Sequence, residues 1–580
     1  MSTRVWAPDV GQVELVVGEQ RSSMTFEAGG WWSGPDVGLE TDYAFSIDGG
    51  PPRPDPRAQR LPQGVHGPSR RVDHERFEWH DAGFRPEPLA DGVVYELHVG
   101  TFSPQGTFEG AIEHLDELVD LGISHVELMP VHAFPGSHGW GYDVAGFFAV
   151  QEAYGGPDGL KHFVDACHGR GLAVILDVVY NHLGPEGCYL PLFGPYVTDR
   201  FRTPWGGAIN LGDAGADEVR RFILDNALLW LRDYHVDGLR LDAVHAFIDL
   251  TATHLLEELA VAVDDLARQL DRDLVLIAES DLNDPRVMRS RDLGGYGIDA
   301  QWSDDYHHAL HTMLSGERDG YYEDFAGLPD VVRALERGWV YEGRYSQHRG
   351  RRHGRSSDGL ALDRMLGYVQ NHDQVGNRAR GERLSRLVDE RRLRVAAGLV
   401  LCGPFVPLLF QGEEWGATTP FLFFADFDDE ALGEAVRTGR RREFAAFGWR
   451  PEDVPDPLAR STFEASRLDR NETGLEPHAG LLEWHRQLIG LRRATSGPLP
   501  GVRPRVQADV EAGWLVAEIG ARTVAANVSP TPRSVPLAAQ LTVSLASDPD
   551  ITLDGPELQL PPMSLAVLTG PTKTADGRSR

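Results

Sequence analysis

The 580-residue sequence predicts an α/β protein: a (β/α)8 TIM barrel with an N-terminal β-sandwich domain and a C-terminal antiparallel β domain. From residue 93 onward, short apolar runs alternate with amphipathic helical stretches, the texture of a parallel sheet built from βα units. There are eight such runs, and no GxGxxG follows the first, which favours a closed barrel over a doubly wound dinucleotide-binding sheet. At both ends of the chain the texture changes to alternating runs separated by Gly, Asp and Pro.

The expected domains are 1–88, an immunoglobulin-like β-sandwich with a linker; 89–496, the barrel with insertions; and 497–580, a C-terminal β-sandwich. In the first, Val13-Glu-Leu-Val-Val17 and Tyr43-Ala-Phe-Ser-Ile47 alternate as half-buried strands do. Residues 49–69 are rich in Pro, Arg and Gly and read as a connection wrapped on a surface. The barrel runs begin with Val93-Val-Tyr-Glu-Leu97, a helix over 111–121, and His125-Val-Glu-Leu128. Next come Ala173-Val-Ile-Leu-Asp177, Gly238-Leu-Arg-Leu-Asp242, Leu274-Val-Leu-Ile-Ala-Glu279 and the less regular 297–302. Met365-Leu-Gly-Tyr-Val369 and Val406-Pro-Leu-Leu-Phe410 complete the set. The tract 396–410 is too short to span a bilayer and is broken by Gly403, Pro404 and Pro407, so it reads as helix, turn and strand. A helix over 480–493 precedes the C-terminal strands Trp514-Leu-Val-Ala517, Thr523-Val-Ala-Ala526 and Leu565-Ala-Val-Leu568, and the tail after Gly570 reads as frayed.

Composition excludes several classes of function. With 56 Lys+Arg against 87 Asp+Glu the net charge is −31, a surface that repels nucleic acid and anionic lipid. Three scattered cysteines offer neither a disulfide framework nor a zinc site, and the start lacks the apolar stretch of a secretory signal, so a reducing cytoplasm is expected.

Asp177, Asp242 and Glu279 end three of the runs and Asp373 follows a fourth, so a barrel brings these carboxylates to one mouth. Acids converging from different strands suit glycosidic cleavage, which needs a nucleophile, a proton donor and charge stabilisation. Asp177-Val-Val-Tyr-Asn-His182, Gly238-Leu-Arg-Leu-Asp-Ala-Val-His245, Ile277-Ala-Glu-Ser280 and Gln370-Asn-His-Asp373 occur in that order, after Gly139-Trp-Gly-Tyr-Asp143. Together they resemble the short conserved regions of the α-amylase superfamily, glycoside hydrolase family 13. The resemblance implies Asp242 as nucleophile, Glu279 as acid/base of raised pKa and Asp373 as transition-state stabiliser. It further implies that Tyr142 stacks on the sugar, that His182 and His372 bind its hydroxyls, and that Arg240 orients Asp242, with His245 and Gln374 among the substrate contacts and Asp177 structural. The implied mechanism is retaining, with the two carboxylates about 5–5.5 Å apart.

Within the superfamily, Arg4-Val-Trp-Ala-Pro-Asp9 is similar to the β-sandwich of branching enzymes, debranching enzymes and maltooligosyltrehalose trehalohydrolases. Gly64-Val-His-Gly-Pro-Ser69, Glu279-Ser-Asp-Leu-Asn-Asp-Pro285, the 295–309 segment, Gly412-Glu-Glu-Trp-Gly416 and the 440–457 stretch resemble the last group. That similarity implies cleavage of the α-1,4 bond between a maltooligosaccharide and a terminal trehalose, with a maltooligosyltrehalose synthase as pathway partner. Candidate contacts beyond the scissile bond are Asp304, Asp305, Tyr306, His307 and His308, with Glu414 and Trp415. The alternative is a 1,4-α-glucan branching enzyme, which passes the same intermediate to another glucan; a non-catalytic glucan binder is disfavoured by the presence of all three acids. Asn181 matches a calcium-ligand position of some amylases, but companion oxygens are not identifiable, so no metal and no cofactor are expected. The basic run 349–355 reads first as a solvated loop and second as a rim of the sugar groove.

Overall fold

The computed structural model describes residues 3–445, 450, 453–495, 503–538 and 540–570. The eight predicted barrel strands form: Val94–Leu97, His125–Leu128, Ala173–Val178, Gly238–Leu241, Val275–Ala278, Ala300–Trp302, Met365–Gly367 and Val406–Phe410. They close in sequential order into a parallel barrel, the eighth pairing with the first from Leu408↔Val94 to Phe410↔Glu96. The irregular sixth run contributes only three residues, Ala300–Trp302.

Alternation along each strand divides the core in two. Val126, Leu128, Val174, Leu176, Leu239, Leu241 and Leu276 face the surrounding helices. Val94, Ile175, Ile277, Ala300, Trp302, Leu366, Tyr368, Val406 and Leu408 fill the barrel interior. The same alternation puts Glu96, Glu127, Asp177 and Arg240 on inner positions, above that apolar floor. Outside, Leu255–Leu270 shows how the helices are specified: His254 caps it through Leu256 N–H, and Leu255, Leu259, Val263 and Leu266 recur on one buried face. Each such side chain contributes roughly 1.5–3 kcal/mol by leaving water. Asp271, in the left-handed region at φ 51°, ends the helix.

Before the barrel lie two three-stranded antiparallel sheets, one of Thr3–Trp6, Trp31–Gly34 and Thr25–Glu27, the other of Gln20–Ser23, Val13–Val17 and Ala44–Ile47. The connecting segment is tied down: Arg57 and Arg60 pair with Asp225 and Glu152, and Ala58, Leu61 and Val65 pack on Ala133 and Ala149. After the barrel, a five-stranded and a three-stranded antiparallel sheet run from Arg505–Asp509 to Ser564–Thr569. The tail after Gly570, residues 446–449 and 451–452 of the 440–457 stretch, and the expected boundary at 496/497 lie outside the described residues.

The basic run forms one arm of an antiparallel hairpin, Glu342–Ser346 with Arg351–Gly354, in place of the irregular solvated loop expected. Arg349 reaches Asp281 at 2.8 Å and His353 is buried, so the run is ordered by acids and backbone carbonyls near the barrel mouth.

Candidate active site

The site is built around one buried cation. Arg240 is fully enclosed, and its Nη1 donates to Asp177 Oδ2 and to Asp242 Oδ1, both at 2.8 Å. Its Nη2 lies 2.8 Å from Glu279 Oε2, and its guanidinium carbon sits 4.2 Å above the Trp302 ring. A buried arginine without counter-charges would be strongly unfavourable, and here three carboxylates from three strands converge on it. Two nitrogens of a single guanidinium thus contact the carboxylates of both Asp242 and Glu279.

The turn after Asp242 completes the arrangement. Ala243 adopts φ 41°, the left-handed region that costs a residue with a Cβ energy, and its N–H donates to Glu279 Oε2 at 2.8 Å. Val244 N–H also holds the Glu279 carbonyl, at 3.0 Å. Burial raises the Glu279 pKa, the charge of Asp242 adds to the rise, and Arg240 opposes it. Asp373 is raised by burial too, with His372 opposing.

A second chain of hydrogen bonds supports the first. His372 donates its backbone N–H to Glu96 at 3.0 Å, and its Nδ1 pairs with the same carboxylate. Its Nε2 meets the Tyr142 hydroxyl at 2.8 Å, and that hydroxyl donates to Asp177 Oδ2 at 2.6 Å. Burial disfavours a charged ring, yet Glu96 and Asp373 raise His372 to about 9, so it is an imidazolium at neutral pH. Burial lifts Asp177 to about 7 despite Arg240. The Tyr142 ring lies near-parallel to that of His372, with centroids 5.1 Å apart. His182 bonds Asn181 Oδ1 and the Tyr142 carbonyl, and burial lowers it to about 4, keeping it neutral.

Beside these acids a cavity of about 470 Å³ is lined by Asp281, Asp304, His308, Tyr321, Arg349, Asp373 and Gln374, among others. Asp304 accepts from the Tyr368 hydroxyl, and burial, helped by Glu279, raises it to about 7. Asp281 stands two residues beyond Glu279, where its pKa is lowered: burial works against this, and His245 and Arg349 outweigh it. His245 is half-buried, with Nδ1 enclosed and without a hydrogen bond among the described residues.

Several sequence candidates stand elsewhere. In the helix Asp304–Ser315, Asp304 and His308 are one turn apart and face the cavity, while their neighbours point into packing. Asp305 accepts from the backbone N–H groups of Val340 and Tyr341, at 2.6 and 2.8 Å. The Tyr306 hydroxyl donates to the Leu399 carbonyl, and His307 is used by the Val369 carbonyl and the Tyr322 hydroxyl. Glu414 is buried against the Tyr95 hydroxyl, and Trp415 is buried beneath the Arg470 guanidinium. Asp305, Tyr306, His307, Glu414 and Trp415, expected as substrate contacts, are thus buried against internal partners and are not among the residues that line the cavity. Arg240 has no exposed surface, and its guanidinium is spent on Asp177, Asp242 and Glu279.

Sequence reasoning missed Trp205, which is 46% exposed at the tip of the hairpin Val197–Thr203/Gly206–Ile209 and stacks on His182 at 5.3 Å. An aromatic in a Pro-Trp-Gly-Gly turn was the available signal. Glu96 was missed as well, although its inner position on the first strand is legible from alternation. Among the described residues, His66, Glu186 and Asp428 could share a cation, but His66 Nε2 already sits 3.3 Å from Glu186, and they take no part in the arrangement above.

The alpha amylase catalytic-domain family matches residues 73–190. The chain is 51% identical to a malto-oligosyltrehalose trehalohydrolase of Arthrobacter ramosus, over 95% of this chain and 98% of that one. It is 48% identical to another from Rhizobium sp. (strain M-11), covering 97% of each. A solved structure from Salmonella typhimurium superposes with a TM-score of 0.88 at 36% identity, covering 98% of this chain and 97% of that one. Similarity to the 1,4-alpha-glucan branching enzyme GlgB of Pseudoalteromonas atlantica is 32% and covers only 42% of this chain.

Proposed function

The chain belongs to the malto-oligosyltrehalose trehalohydrolases of the α-amylase superfamily, and on that premise we propose that Asp242 is its nucleophile, Glu279 its acid/base and Asp373 its transition-state stabiliser. The reaction is hydrolysis of the α-1,4 bond that joins a maltooligosaccharide to a terminal trehalose, with release of trehalose. The observation that carries the assignment is the single guanidinium of Arg240 in contact with both Asp242 and Glu279.

In the first step Asp242 attacks the anomeric carbon while Glu279 gives its proton to the departing trehalose oxygen. The raised pKa of Glu279 favours the protonated form that this step needs, and Arg240 keeps Asp242 oriented as it attacks. Asp373 faces the positive charge that develops on the sugar ring. In the second step Glu279, now a carboxylate, takes a proton from water as the water attacks the glycosyl-Asp242 ester. Two inversions leave the maltooligosaccharide product with the α configuration.

The trehalose unit occupies the cavity beside Glu279, where Asp281, Asp304, His308, Gln374 and Arg349 offer charged and planar hydrogen-bonding groups to an uncharged polyol. Tyr142, His182 and Trp205 hold the sugar on the other side of the cleaved bond. We place the enzyme in the cytoplasm, in trehalose biosynthesis after a synthase that creates the terminal trehalose; three unpaired cysteines support the location.

Purified protein given maltotriosyltrehalose and maltopentaose separately is expected to release trehalose and maltotriose rapidly from the first and to cleave the second slowly. Equal rates on both would remove the trehalose subsite, and chain transfer without net hydrolysis would reassign the protein to branching.

A further inference from the structure

One ionisable group on the barrel axis has no place in the chemistry above. Glu127 stands on an inner position of the second strand, opposite Glu96 in the register of the first strand and Ile175 in that of the third. It is 1% exposed, and among the described residues neither carboxyl oxygen has a hydrogen-bond partner. Its ionisable neighbours are Glu96, Asp177, Arg240 and His372, from four different segments of the arrangement described above. Every positive charge in this set is already committed. Arg240 holds Asp177, Asp242 and Glu279, and His372 holds Glu96.

An ionised carboxylate at this place would be buried beside Glu96 with no donor of its own. It would also compete for Arg240 and His372, the two cations that orient the reacting acids. We propose that Glu127 is a positioning residue that serves as a neutral carboxylic acid: it fills the layer beneath the reacting groups with polarity and no charge, leaving Arg240 to Asp242 and Glu279, and His372 to Glu96. Burial, and then the charge of Glu96, push its pKa well above the ordinary range, in the direction this role requires. Asp177 Oδ1, also buried and without a hydrogen bond among the described residues, is an acceptor of the kind that a protonated carboxyl serves and that neither a carboxylate nor an aliphatic side chain can.

The role rests on the assignment of Asp242 and Glu279, so the test reads the protonation state of Glu127 without turnover. The infrared difference spectrum of wild type minus Glu127→Gln at pH 7 is expected to show the carbonyl band of a protonated carboxylic acid. A carboxylate band in its place overturns the proposal, whatever becomes of the catalytic assignment. In kinetics, Glu127→Gln, neutral like the group it replaces, is expected to keep kcat/KM for maltotriosyltrehalose within about threefold, and both limbs of the pH profile within about 0.3 pH units. Glu127→Leu is expected to lower kcat about tenfold or more, with KM within about threefold. Displaced pH limbs in Glu127→Gln would show that a charge had been removed, and full activity in Glu127→Leu would show that no polar group is needed; either overturns the role. Should the leucine variant not fold, the glutamine variant and its spectrum still decide. Asp242→Asn tests the underlying assignment separately, by its loss of turnover.

Discussion

His372 shows how a single residue couples the fold to the chemistry. Its ring is raised from 6.5 to about 9 in the folded protein: burial opposes the charge, and the carboxylates of Glu96 and Asp373 outweigh burial. A base whose pKa rises on folding stabilises the native state fully below its unfolded value, here 6.5, and that contribution is lost as pH climbs through about 9. Wild-type thermal stability is accordingly expected to fall between those limits, and Glu96→Gln, which removes the main counter-charge, is expected to flatten the fall. A variant with the same slope as wild type would show that this pair is not its source. The placement of Asp242, Glu279 and Asp373 at strand ends was legible because each stands in a short motif that closes an apolar run. Asp305 and His307 were not separable from Asp304 and His308 in sequence, because all four are polar and only the rotation of their helix decides which face the cavity.

Among the elements, the helix Glu390–Leu401 packs on the C-terminal sheet with Gly398 against Leu565. A Cβ there would lie 2.5 Å from the end of the Leu565 side chain, which is fully buried, so that side chain or the helix would have to shift. Gly398→Val is therefore expected to destabilise the protein by about 1–3 kcal/mol, read as a lower melting temperature, while trehalose release per folded molecule stays near wild type. An unchanged melting temperature would mean that the sheet shifts freely on that helix. This helix and the barrel strand after it were readable from the Gly403, Pro404 and Pro407 interruption of the 396–410 tract. The hairpin Glu342–Ser346/Arg351–Gly354 was not readable, since its arginines mimic a solvated loop and only tertiary partners such as Asp281 reveal its order. Short strands such as Arg533–Pro536 and Thr552–Asp554 escaped notice for a similar reason: they are too brief for alternation to stand out.

Taken together, the barrel converts a sequence alternation into a chemical gradient. Apolar inner residues form the floor, Glu96, Glu127, Asp177 and Arg240 form a buried polar layer, and Asp242, Glu279 and Asp373 stand at the mouth. The overall order was legible because most of the strand runs are short and apolar and are separated by helical stretches. The polar layer was only partly legible, since composition does not say whether an inner glutamate is charged. The most direct test of this division of labour is to trap the intermediate with a slowly turned-over fluorinated glucosyl fluoride and locate the modified peptide by mass spectrometry. Attachment to Asp242, with α-configured product in the untrapped reaction, is the expected result. Attachment to Glu279, or a product of inverted configuration, would contradict the assignment.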